Sequence, residues 1–206
     1  MFEKLPTSEL RKRWFWAGRT PEQVDEIYEI TLRFLDDFFP RYDEFRRMNT
    51  IYLSIGSNTD PETNLREMVR LLREKSAVLD VSPVYESADS SGGDMVYLNA
   101  AVLLQTPYDP EAFKEGVLVT IEDRLERESS GPFVTADLDI VLVNEDVLEY
   151  LGRQIPDPGI LKHAFIARPL ADIAPAYTHP VTGQTLREIA DAIEDATITR
   201  RDDITL

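Results

Sequence analysis

An α+β sandwich is the fold class this sequence predicts, on three observations. Between residues 50 and 144, apolar residues follow strand-like and helix-like periods in the order β-α-β-β-α-β. Gly, Pro, Asn and Asp cluster between those segments, where turns are needed. Composition is that of a globular chain: of 206 residues, 43% are hydrophobic and 29% charged.

Residues 1–48 are read as a helical N-terminal extension and residues 49–206 as the α+β domain. In the extension, Thr20 is the expected N-cap of a helix and Pro21 its first residue. Val24, Ile27, Tyr28, Leu32, Leu35 and Phe38 recur at helical spacing, and Pro40 should end the helix. "SELRKRWFW" before it reads as a shorter helix. The aromatic content, from Trp14 to Phe39, predicts packing on the main domain or on a second copy in a homodimer.

The domain opens with "TIYLSIG" (50–56), a strand closed by Gly56. A helix is expected from Pro61 to Lys75, with Leu65, Met68, Val69 and Leu72 on one face. "AVLDVSPVYES" (77–87) reads as a strand interrupted at Pro83, a residue suited to a sheet edge. "ADSSGGD" (88–94) is a loop, and "MVYLNAAVLLQT" (95–106) a long apolar strand. A helix is expected over 109–128, starting at Asp109 with Pro110 in its first turn. "TADLDIVLVN" (135–144) is the last strand of the pattern. This order is that of a ferredoxin-like βαββαβ sandwich, with helices on one face of an antiparallel sheet. The tail adds two short helices, in "HAFIARPLADIAP" and "GQTLREIADAI". His179, in "THPVTG", reads as a turn residue.

Charge narrows the function. The net charge is −16, and residues 51–183 hold 10 Lys/Arg against 22 Asp/Glu. That argues against a broad basic face for nucleic acid. A polyanionic nucleotide could bind only with metal ions and a few placed cations. There is no cysteine, which excludes disulfides, thiolate metal sites and a Cys nucleophile. No apolar run is long enough for a membrane helix. The N-terminus lacks an apolar signal core, so a cytoplasmic location is expected.

The chemistry-bearing feature is Asp137-Leu138-Asp139, inside an otherwise apolar strand. Residues two apart point to one face, so two carboxylates would stand side by side. Such a pair is unfavourable unless a positive charge sits with it. A hard cation such as Mg²⁺ takes one or two protein carboxylates and leaves its other positions to water and phosphate oxygens. The plain alternative is a turn cap plus a solvated strand end.

"IGSN" (55–58), "YLNAAV" (97–102), "IE" (121–122), "GP…DLDIVL" (131–142) and "RPLADIAP" (168–175) occur in that order. Together they resemble the 6-hydroxymethyl-7,8-dihydropterin pyrophosphokinase family of folate biosynthesis, over about Thr50 to Leu186. The resemblance implies the ferredoxin-like core. It also implies transfer of a pyrophosphoryl group from ATP to the hydroxymethyl group of the pterin, with two Mg²⁺ ions, giving AMP. Asp137 and Asp139 would bridge the metals, and Arg127 would be catalytic beside them. Asn99 would pair with the edge of the pterin, Tyr97 would share its strand face, and Phe165 would stack on the ring. Glu122, Arg127 and His163 would lie by the nucleotide.

The sequence also departs from the family. Its usual W-G-P-R becomes Ser130-Gly131-Pro132-Phe133, with one extra residue before the acids. Its Thr-Pro-Pro pterin wall becomes Ser87-Ala88-Asp89. A second loop arginine is missing or replaced by Ser129. Compensating cations would have to come from Arg127, Arg124, Lys162, His163 or Arg168. Two further readings therefore stand beside a pterin pyrophosphokinase. One is a paralogue acting on another hydroxymethyl heterocycle. The other is a non-catalytic binding protein on the same fold.

Overall fold

The computed structural model describes residues 20, 23, 26, 48–88, 95–127 and 131–206. The chain divides into two units, Met1–Arg47 and Met48–Leu206. In the first, the Thr20 hydroxyl accepts from the Gln23 N–H (3.3 Å) and the Gln23 side chain accepts from the Thr20 N–H (2.9 Å). This reciprocal pair is a capping box, as expected of an N-cap at Thr20. The other features expected in 1–47 lie outside the described residues, as do residues 89–94 of the loop and Ser129 and Ser130.

The second unit runs β1 (Asn49–Ser57), α1 (Pro61–Lys75), β2 (Ala77–Val81), β3 (Val84–Ala88) and β4 (Val96–Thr106). A helical stretch follows: α2 (Pro110–Phe113), a π-helical turn (Lys114–Leu118) and α3 (Val119–Arg124). Then come β5 (Asp137–Val143), β6 (Leu148–Tyr150), β7 (Arg153–Ile155), a 3₁₀ turn (Pro158–Leu161), α4 (Ala164–Ile173), α5 (Leu186–Ala192) and β8 (Thr199–Arg201). The sheet order is β5-β1-β4-β3-β8, with β2 also on β4, all antiparallel. This is the ferredoxin-like arrangement expected from the element order.

Three expectations need correction. The strand expected over 77–87 is two strands. Ser82 breaks it, donating its N–H to the Ala101 carbonyl and accepting the Ala101 N–H on its hydroxyl (2.8 Å). Pro83 has no N–H for a ladder, so β4 pairs first with β2 and then with β3. The helix expected to 128 stops at Arg124 and contains a π turn. Helices cover both faces of the sheet, not one. Ile51, Leu53, Ile55, Ala100, Val102 and Leu104 pack with Leu65, Met68, Val69 and Leu118. Their strand neighbours Tyr52, Ala101, Val141 and Leu142 pack with Ala167, Leu170, Leu186 and Ile189 of α4 and α5. A strand buried on both faces reads as a continuous apolar run, which is what 95–106 is. The hairpin β6–β7 and strand β8 were not legible in advance; each is three residues long.

Val141 is the extra residue of a β-bulge: Leu53 faces Ile140 while Tyr52 faces Leu142. The bulge switches the face of everything beyond it. Before it, Leu138 and Ile140 point into the α1 core, so Asp137 and Asp139 emerge on the α4 side. No helix among the described residues is long and apolar enough to cross a membrane.

His179 sits in the turn before α5, as read from its motif. It is buried, and its Nδ1 accepts from the N–H groups of Val181 and Thr182 (3.3 Å each). Burial pushes its pKa below the ordinary 6.5. A depressed histidine pKa gives stability that is whole above the ordinary value and is lost as pH falls toward the folded one. Urea denaturation of the wild type should therefore show stability falling as pH drops below about 6.5. In His179→Gln that part of the pH slope should vanish.

Candidate active site

β5 is an edge strand, so its outward backbone groups need partners from elsewhere. At Leu138 those partners are side chains. The Leu138 N–H donates to Glu122 Oε1 (3.0 Å), and its carbonyl accepts from Lys114 Nζ (2.7 Å). Lys114 also donates to both oxygens of Glu122 (3.0 and 3.3 Å). The ion pair is mostly shielded from water, with side chains 15% and 14% exposed. It clamps Leu138, the one residue between Asp137 and Asp139, by both its N–H and its C=O.

Both aspartates are half-buried and each has a cation. Arg127 donates to Asp137 Oδ1 (3.2 Å). Arg153, on β7, grips Asp139 with both guanidinium nitrogens, Nη2 at 2.8 Å. Lys114 Nζ lies 3.7 Å from Asp139 Oδ1. Even so, burial and the charge of Asp139 hold the Asp137 carboxyl above its usual range, against the opposing pull of Arg127. The two carboxylates lie on one strand face, on either side of Leu138, a donor set that suits a divalent cation. Among the described residues no three His, Asp or Glu side chains converge into a ready-made cage. A cation here would complete its shell with water and substrate oxygens.

Local structure explains how Arg127 arrives. α3 ends in a Schellman turn: Glu126 donates its N–H to Asp123 O (3.0 Å), and Arg127 donates to Glu122 O (2.9 Å). Glu126 takes the left-handed conformation this requires, φ 55°. Beyond it, Asn58 pins the Gly131-Pro132 loop. Its amide donates to Pro132 O and its Oδ1 accepts the Val134 N–H, both at 2.7 Å. This gives "IGSN" and "GP" one shared structural purpose. Phe133 itself is exposed at 59%.

Beside Asp137, a pocket of about 200 Å³ is lined by Ser54, Gly56, Ser87, Ala88, Tyr97, Asn99 and Phe165. Asn99 is buried, and its amide donates to Ser87 Oγ (2.9 Å) and, weakly, to Tyr85 O (3.5 Å). Its Oδ1 faces Gly56, where a Cβ would come within 3.1 Å. Glycine at 56 keeps that acceptor open. Phe165 is stacked by His163, ring centroids 5.1 Å apart.

Of the residues singled out in the sequence, Tyr97, Asn99, Phe165 and Asp137 meet in one pocket. Asp139, Glu122 and Arg127 form the ionic cluster next to it. His163 backs Phe165 rather than the acids. Of the other cations considered, Arg124 faces Glu67, Arg168 reaches the Asp195 carbonyl, and Lys162 is exposed. Lys114 and Arg153 were missed. Lys114 stands eight residues before Glu122, a spacing that a regular helix would not bring together. Arg153 belongs to a hairpin with no sequence signature.

The family model for 7,8-dihydro-6-hydroxymethylpterin-pyrophosphokinase matches residues 52–175. A 2-amino-4-hydroxy-6-hydroxymethyldihydropteridine pyrophosphokinase of Bacillus subtilis is 37% identical over 132 residues, which is 61% of this chain and 78% of that protein. Folic acid synthesis protein fol1 of Schizosaccharomyces pombe is 31% identical over 175 residues, 82% of this chain but 24% of that protein. A Plasmodium falciparum HPPK-DHPS crystal structure with pteroate superposes with a TM-score of 0.59 at 12% identity, covering 70% of this chain and 44% of that one. The likeness to that structure concerns the fold. The chain spans about a quarter of the length of the fission-yeast relative and under half of the Plasmodium chain.

Two stability changes follow from the clamp and the turn. Glu122→Ala takes the nearest carboxylate from a shielded ammonium and leaves a backbone N–H unpaired. It should cost about 2–4 kcal/mol in urea denaturation. Glu126→Gly removes a side chain from the left-handed region and should raise stability by up to about 1 kcal/mol.

Proposed function

The chain belongs to the 7,8-dihydro-6-hydroxymethylpterin-pyrophosphokinase family, and we propose that it transfers a pyrophosphoryl group from ATP to the hydroxymethyl group of 6-hydroxymethyl-7,8-dihydropterin. The observation that carries this reading is convergence. Residues from β4, β5 and α4 that are remote in sequence line one small pocket with an ionisable acid at its rim. The pocket is sized for a flat ring, with a buried amide oxygen from Asn99 to accept from the ring's N–H groups. Phe165, supported by His163, supplies the stacking face, and Tyr97 is a further wall residue.

In this reading the substrate hydroxyl oxygen attacks the β-phosphorus of ATP. The bond from that phosphorus to the α,β-bridging oxygen breaks, AMP leaves, and the hydroxyl proton passes to solvent. Asp137 and Asp139 would hold two Mg²⁺ ions, which when bound neutralise phosphate charge and align the reacting oxygens. Arg127 and Arg153 are proposed to exchange these carboxylates for phosphate oxygens, with gains typical of charge-assisted hydrogen bonds. Arg153 thereby takes a place that the sequence had left without a cation. No covalent intermediate with the protein is needed.

A different hydroxymethyl heterocycle is the second reading. It is favoured by Ser87 and, more weakly, the Tyr85 carbonyl, which between them take the two Asn99 amide N–H groups and leave the oxygen for a ligand.

AMP formation from ATP, Mg²⁺ and 6-hydroxymethyl-7,8-dihydropterin tests the proposal. Asp137→Ala and Asp139→Ala should each lower the rate at least about 100-fold, the scale of losing one key electrostatic group, without unfolding the protein. AMP release that persists in both variants would refute the assignment. Turnover with another hydroxymethyl heterocycle, and none with the pterin, would select the second reading.

A further inference from the structure

Lys114 is the cation that neither the family resemblance nor the sequence pattern brought to the site. Its position follows from the π turn at Lys114–Leu118. In a regular helix, residues eight apart are rotated by about 80°, given 3.6 residues per turn. One residue of extra winding, which is what a π turn adds, returns them nearly to one face. Lys114 and Glu122 therefore meet across two turns, and the ammonium is drawn against β5. Its three N–H groups have three acceptors within reach: Glu122, the Leu138 carbonyl and, at 3.7 Å, Asp139 Oδ1.

We infer that Lys114 is a positioning residue, a resident counter-charge that holds the Asp-x-Asp peptide in place and lowers the carboxylate pair's affinity for a bare divalent cation. The inference rests on the reading that Asp137 and Asp139 take divalent ions. A fixed ammonium 3.7 Å from an Asp139 oxygen repels any dication that oxygen holds. It also cancels Glu122, which would otherwise add to the attraction. Both effects have the same sign, so the site favours cations that arrive with a polyphosphate over cations alone. The charge comes from the protein interior, behind the strand, so it opposes the bare ion without competing for the acids as Arg153 does.

The test is Mn²⁺ binding to the full chain without nucleotide, followed by electron paramagnetic resonance. Lys114→Gln keeps a donor for the Leu138 carbonyl and removes the charge. Lys114→Met removes both. Lys114→Arg keeps the charge. The charge-removing variants should bind Mn²⁺ at least about tenfold more tightly, the lower bound set by a unit charge and a dication roughly 6 Å apart at the dielectric of bulk water. Lys114→Arg should stay within about twofold of wild type. A residue that only supported the fold would, when lost, weaken metal binding. Unchanged or weaker Mn²⁺ binding in whichever of the Gln and Met variants folds would overturn the inference. Absence of Mn²⁺ binding in wild type and in every Lys114 variant alike, or binding that survives Asp137→Ala and Asp139→Ala, would remove the metal reading itself. Binding that is lost in those two variants yet unmoved in Lys114→Gln would remove only the role of Lys114.

Discussion

An open strand edge is the constraint on which this site depends. Among the described residues β5 has no neighbouring strand beyond it, and its outward N–H and C=O groups would be costly if left without partners. The chain answers with an ion pair. Glu122 accepts the Leu138 N–H and Lys114 donates to the Leu138 carbonyl, as a neighbouring strand would, and Asp157 donates its N–H to the Val141 carbonyl farther along. The same contacts that finish the sheet also fix the residue between the two aspartates. Sheet completion and acid placement are therefore one feature, and a change at Glu122 or Lys114 acts on both.

The two-sided burial of the sheet decides where the acids point. α1 and the helical stretch after β4 take one face, and α4 and α5 take the other. Strands between two helical layers have little room for polar side chains except at their ends. Asp137 opens β5, and Asn99, inside β4, is placed level with it by the strand register. Asn99 lies opposite Gly56, and Gly56 opposite Asp137, across three adjacent strands. The Val141 bulge allows β5 to carry acids toward α4 at one end while keeping Leu142 in the α4 core at the other.

Much of this was legible in the sequence, for identifiable reasons. The element order and the Pro61–Lys75 helix follow from strong periodicity and Pro placement. Asp137 and Asp139 stand out because two charges in an apolar strand demand an explanation. Tyr97 and Asn99 share a face by the period of two. What was not legible has a physical pattern. The π turn is a one-residue change of winding, invisible to a count based on 3.6. Arg153 sits in a three-residue strand, too short for any alternation to register. The second helical layer was missed because a strand buried on both faces loses the alternation that marks a solvent side.

The electrostatics of the site differ from those of the molecule. The chain carries sixteen more negative than positive charges, but Asp137, Asp139 and Glu122 are met locally by Lys114, Arg127 and Arg153. Beyond about 8–10 Å, salt screens the remaining surface charge. Under the proposed function, an approaching polyphosphate would meet this balanced cluster at close range rather than the acidic exterior. Balance of this kind is easily shifted. Arg127 and Arg153, each held by a carboxylate, lie on a loop and a short hairpin, where a change of partner costs little packing. Lys114 is different, because it is shielded and engaged with backbone. The fixed charge stands behind the strand while the exchangeable charges stand in front of it, and that asymmetry allows a site to release its acids without losing its shape.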